Sequence, residues 1–158
     1  MIPELGHVAL IIALCLSVVQ SIVPLLGAQL RITPWIAVAK PLAQGQLIFV
    51  AISFACLAYA FMTHDFTVAY VANNSNTALP TMYLFSAIWG AHEGSLLLWA
   101  LVLSVWSGFV TVFSRVVPES VLARVIAVLG MVSVGFLLFM LLTSNPFGRC
   151  GHHSLERI

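Results

Sequence analysis

Charge is what this 158-residue chain has least of: Lys, Arg, Asp and Glu make up 7% of it, against 61% hydrophobic residues. A soluble domain carries roughly a quarter charged residues, so the chain has too little polar surface to coat a globule in water. It reads as an integral membrane protein. Six Lys plus Arg against five Asp plus Glu leave a formal net charge of +1. That is not the basic excess of an electrostatic nucleic-acid binder, and no nucleic-acid partner is expected. Of the three cysteines, Cys15 and Cys56 sit inside apolar runs, Cys150 lies near the end, and no CxxC or Cys/His zinc spacing occurs. Neither a disulfide framework nor a thiol redox centre is implied. The first six residues contain Glu4 but no Lys or Arg, and no small-residue cleavage site follows a short apolar stretch. The first hydrophobic segment is therefore expected to be a retained span rather than a secretory signal.

Four segments approach the roughly 20 apolar residues that a bilayer-spanning helix needs: about 7–26, 42–62, 94–113 and 121–142. With no water in hydrocarbon to satisfy the backbone, each is expected to be helical; a transmembrane barrel would show shorter alternating segments. The fold class predicted is an all-α membrane protein of about four transmembrane helices, with a long link between the second and third. Arg31 and Lys40 lie between the first two spans, Arg115 and Arg124 flank the turn at Pro118, and residues 63–93 hold no Lys or Arg. By the positive-inside rule the two basic connections face the cytoplasm. The amino terminus, the long link and the tail then face the periplasm, with Arg149 and Arg157 in the tail as the dissenting cations.

The spans also lack ionisable groups: no Asp, Glu, Lys, Arg or His stands near the middle of any of them. Pumps and proton-coupled transporters usually place such a group there, which argues against a self-contained pump. What the spans do contain is patterned. Ser17, Ser21 and Pro24, with Gln20 beside them, share one face of the first; Gln46 and Ser53 share one of the second; Ala123, Ala127 and Gly130 form a small-residue stripe in the fourth. Such residues let helices approach and hydrogen-bond in lipid. Packing seams within the four helices are favoured over a ligand path.

The link is the most specific stretch. Residues 66–72 alternate like a short strand, and 73–76 (NNSN) are turn chemistry. Pro80 can open a helix in which Met82, Phe85 and Trp89 would lie together. Trp89 and Trp99 suit an interfacial aromatic belt, and Gly90 and Gly94 are expected to let the backbone bend around His92 and Glu93.

The segments DFTVAYVANNSNTALPTMY, WGAHEGSLLLW and RVIAVLGMVSVGFLLFMLLTSNPF, with PELG near the start, resemble the amino-terminal part of the CcmF-type cytochrome c maturation proteins, a haem lyase family that includes proteins called CycK, NrfE and CcsA. The likeness runs over about residues 3–147. It implies a bacterial inner-membrane, multi-pass protein that handles haem as cofactor. The implied partners are a periplasmic haem chaperone, an apocytochrome-presenting subunit, apocytochrome c and the lipid bilayer. The chemistry implied is thioether formation between haem vinyl groups and CxxCH thiols.

The family's tryptophan-rich WWD segment, its paired outer-face histidines and its transmembrane haem histidines have no matching positions here. The chain is accordingly expected to be a piece of such a protein, as a split subunit, a truncation or a reading-frame product, and not catalytic alone. Residues 1–147 form the expected four-span module, and 148–158 a divergent, disordered tail. His7, His64, His92, His152 and His153 all fall on the outward side or its edge. His92 is the one candidate haem-binding residue; the favoured alternative is that His92 and Glu93 bond loop backbone and fix the bend. Trp89, Gly90, Glu93, Gly94 and Trp99 are expected to make structural or partner contacts. A standalone membrane interaction protein is the second reading, and a subunit of a proton- or solute-conducting assembly the third.

Overall fold

The computed structural model describes residues 1–63, 80, 82, 83, 86, 90 and 92–143, with 92 and 93 as backbone only. Five helices follow one another: α1 (Ile2–Leu30), α2 (Thr33–Ala37), α3 (Ala39–Met62), α4 (His92–Phe113) and α5 (Glu119–Thr143). Four stretches of the described residues are long and apolar enough to cross a membrane: Ile2–Leu30, Thr33–Met62, Gly94–Phe113 and Glu119–Thr143. The expected set of four spans is present, and no strand occurs among the described residues. The strand expected at 66–72 and the turn at 73–76 lie outside them.

The helices run past the apolar segments that announced them. At 1.5 Å per residue α1 is about 43 Å long, against a hydrocarbon core of about 30 Å, so its ends project into the headgroup region. Glu4 stands near one end and Arg31 just beyond the other. Once a helix is propagating, each further residue adds a hydrogen bond whether or not its side chain is apolar. Pro24 removes one such bond inside α1, yet the helix continues through it.

The chain leaves α1 through Arg31, held at φ 57° and ψ 37°, and both its N–H and that of Ile32 return to the Gly27 carbonyl. Pro34 then opens α2, which folds back on α1. Gly27 permits this: a Cβ there would stand 2.7 Å from the Trp35 Cβ and 3.1 Å from the Ile36 nitrogen.

In the bundle α1 packs against α3 and α5, and α4 packs against the same two helices from the opposite corner. Two apolar clusters fill it. Towards the Met1 end, Leu10, Val50, Leu57, Phe61, Leu97 and Leu137 are fully buried together. Towards the Arg31 end, Ala28, Ala39, Ala43, Leu122, Ala123 and Ile126 form the second. Between the two, every spanning helix contributes buried polar residues: Ser17 and Gln20 from α1, Gln46 from α3, Ser104 and Ser107 from α4, and Ser133 from α5.

Candidate functional site

The polar layer at mid-membrane is largely satisfied from within. Ser17 Oγ donates to the Ala13 carbonyl at 2.8 Å, Ser104 Oγ to Ala100 at 2.8 Å and Ser133 Oγ to Leu129 at 3.0 Å, each closing back on its own helix as hydroxyls do in the absence of water. Two amides cross between helices. Gln20 Nε2 donates to the Ile126 carbonyl at 3.0 Å, joining α1 to α5, and Gln46 Nε2 to Ser104 Oγ at 3.4 Å, joining α3 to α4. The first bond depends on Gly130, one turn beyond Ile126. A Cβ there would lie 3.1 Å from the Ser21 nitrogen, 3.2 Å from Gln20 Cγ and 3.3 Å from the Ser17 carbonyl oxygen. Gln20 Oε1, Gln46 Oε1, Ser53 Oγ and Ser107 Oγ are buried with no partner among the described residues.

The sequence-predicted seams are therefore where expected: Ser17, Gln20, Ser21, Pro24, Gln46, Ser53, Ala123, Ala127 and Gly130 are all buried. Sequence reasoning missed the matching face of α4, where Ser104, Ser107 and Thr111 are also buried. The signal was present, since these three recur at i, i+3 and i+7, a one-face helical spacing like the i, i+4 and i+7 of Ser17, Ser21 and Pro24 in α1. It also missed α2, whose Pro34 and Trp35 were its only markers.

At the other predicted site, α4 begins at His92 and runs without interruption through Gly94, which is buried. Trp99 is 61% exposed and five residues on, so these two face opposite sides of the helix. Gly90 is exposed, with nothing within 4 Å of a would-be Cβ. Upstream, the Tyr83 N–H reaches the Pro80 carbonyl at 2.9 Å and Ser86 Oγ the Tyr83 carbonyl at 2.9 Å. Trp89 and the side chains of His92 and Glu93 lie outside the described residues, as do His64, His152, His153 and residues 144–158.

No group of three or more His, Cys, Asp or Glu that could hold a metal ion occurs among the described residues. Two open grooves do, of about 450 Å³ between α3 and α4 and about 380 Å³ between α4 and α5. Both are apolar apart from Gln44 in the first, and neither is lined by a His, Cys or Met. They do not fit a haem that needs an axial nitrogen or sulfur ligand, and no step through haem is assigned to them. What the described side chains can do is lock four helices together and present faces to something else.

Residues 89–155 match the family model of the cytochrome C assembly proteins. The chain is 62% identical over 148 residues to the cytochrome c-type biogenesis protein CcmF of Pseudomonas fluorescens, covering 94% of this chain and 22% of that protein. It is 49% identical to CcmF of Escherichia coli, covering 94% and 23%, and 38% identical to NrfE of Haemophilus influenzae, covering 94% and 24%. The solved structure of the cytochrome c heme lyase CcmF superposes with a TM-score of 0.89 at 26% identity, over 98% of this chain and 26% of that one. The chain thus spans about a quarter of the length of the relatives it matches. Sequence and helix arrangement agree: nearly the whole of this chain is similar to about a quarter of the CcmF-type cytochrome c biogenesis proteins.

Proposed function

We propose that this chain acts in cytochrome c maturation as a four-span scaffold of a haem lyase complex, positioning partners for the covalent attachment of haem to apocytochrome c. The observation that carries this reading is the likeness of nearly the whole chain to about a quarter of the CcmF proteins, together with four spans tied to one another by the Gln20–Ile126 and Gln46–Ser104 hydrogen bonds. Iron ligation is then the task of the family's WWD and histidine segments, and these residues serve as support. The partners are a periplasmic haem chaperone, the subunit that presents apocytochrome c, and apocytochrome c itself. Arg31 and Arg115 lie in the two connections at one end of the bundle, and Lys40 and Arg124 early in the helices that follow them, which supports an inner-membrane placement with those connections cytoplasmic and the amino terminus periplasmic.

The test is a chimera in which these residues replace the matching quarter of the Pseudomonas fluorescens relative, expressed in a strain lacking its own protein. Haem-stained holocytochrome c should be restored. His92→Ala in the chimera should lower the yield while leaving its haem absorption band in place; loss of the band would make His92 a ligand. The 158-residue chain alone should purify colourless, and attachment of haem to an apocytochrome by that chain alone would overturn the proposal.

A further inference from the structure

The outward face of α4 differs from every other exposed surface of the bundle. Trp99, Val102, Trp106, Phe109 and Phe113 follow one another at steps of three, four, three and four residues and are 61%, 51%, 64%, 52% and 73% exposed. That is the a/d repeat of a helix–helix seam, which keeps one narrow stripe turned towards a partner. All four aromatic residues of α4 lie on it, whereas α1 contains no aromatic residue in its whole length.

Lipid is a poor cover for this stripe. The midpoint of Gly94–Phe113 falls between Leu103 and Ser104, so Trp106 stands about 4 Å from the centre of its span. Tryptophan favours the two interfaces, and an indole N–H facing hydrocarbon leaves a donor without an acceptor. The Trp106 indole N–H makes no hydrogen bond with the described residues. Beside the stripe runs the 450 Å³ groove, where Gln44 and Leu47 of α3 face Gly108, Phe109 and Phe113 of α4. Gln44 is exposed and brings a second polar group to the same side. The Phe109 and Phe113 rings are already stacked, centroids 5.6 Å apart.

A second copy of this chain is an equally poor cover. Pairing the stripe with itself would bring donor against donor, since an indole N–H only donates, and bulk against bulk where packed helices alternate large and small. The complement is a helix with small residues opposite the rings and a hydroxyl or an accessible carbonyl at the level of Trp106.

We propose that the Trp99–Phe113 stripe and its groove are the docking surface for a further membrane-spanning helix, small-residue-rich and carrying a hydrogen-bond acceptor near mid-bilayer, from the three quarters of a CcmF-type protein that this chain does not span. Length supports that source: the matched relatives extend far beyond the 22–26% covered here. The inference rests on the likeness to CcmF-type proteins and not on the haem-attachment reading.

The experiment uses the full-length chimera in native membranes, with the photoreactive p-benzoylphenylalanine placed at 106 or at 109. These are aromatic-for-aromatic replacements at exposed positions, and unchanged protease resistance shows that the bundle has folded. After irradiation, mass spectrometry should find adducts from both positions on one hydrophobic segment outside these 158 residues. Adducts confined to phospholipid, to a second copy of the chimera or to segments within these residues would overturn the proposal. Holocytochrome yield, measured separately, reports on the haem reading alone.

Discussion

Two glycines five residues apart on α5 should respond to alanine in opposite senses. At Gly130 the new methyl would sit 3.1 Å from the Ser21 nitrogen and 3.3 Å from the Ser17 carbonyl oxygen, both backbone atoms of α1; at Gly135 it would meet nothing within 4 Å. Overfilling a packed site costs about 1–3 kcal/mol. Backing α1 away by a few tenths of an ångström also stretches the 3.0 Å bond from Gln20 to Ile126, a class of interaction worth about 0.6 kcal/mol on average in membranes. Against this, alanine gains about 1 kcal/mol over glycine in helix propensity. Gly130→Ala should therefore destabilise by about 1–2 kcal/mol, while Gly135→Ala should be neutral or stabilising by up to about 1 kcal/mol. Reversible unfolding in mixed micelles with increasing dodecyl sulfate, followed by far-UV circular dichroism, measures both. In a Gln20→Leu background the Gly130→Ala penalty should shrink by roughly the share of the lost bond, about 0.6 kcal/mol. Equal effects of alanine at the two positions would refute the claim that α1 and α5 meet at Gly130.

Gln46→Leu removes a long 3.4 Å bond together with an unpartnered buried carbonyl oxygen. Losing both should be close to neutral or stabilising, because an orphaned polar atom costs about 1–3 kcal/mol; a destabilisation above about 2 kcal/mol in the same assay would show that the bond matters more than its length implies. Gly27→Ala must push α2 off α1, since its methyl would approach Trp35 Cβ to 2.7 Å; faster proteolysis at the α1–α2 junction, with the spanning helices retained, is the expected result. Finally, with the three native cysteines replaced by alanine, Val116→Cys should resist a membrane-impermeant thiol reagent in spheroplasts, and Met82→Cys should react. Both positions are highly exposed, 97% and 87%, so reversed labelling would invert the topology.

The match between sequence and structure is uneven for physical reasons. Span number and kind were legible because hydrocarbon imposes one backbone solution on any long apolar run. Span ends were less so: the first was placed at 7–26 and the helix is Ile2–Leu30. Hydropathy measures the thickness of the oily layer, whereas the helix stops only where its hydrogen bonding stops. The polar faces of α1 and α3 could be read from spacing alone. The comparable one-face spacing of Ser104, Ser107 and Thr111 in α4 was obscured by four aromatic residues on the other side of the helix.

The residues by themselves determined that this chain lives in a bilayer as four helices, which face of α1 and of α3 turns inward, and, through WGAHEGSLLLW and its companions, which family it resembles. Only the tertiary structure decided which helices are neighbours, because lipid and neighbouring helices are equally apolar and no hydrophobic contrast ranks one pairing above another. The same holds for the glycines. Spacing put Gly130 on a small-residue stripe with Ala123 and Ala127, but only the fold shows that this stripe meets the backbone of α1 while Gly135 has nothing within 4 Å of a would-be Cβ.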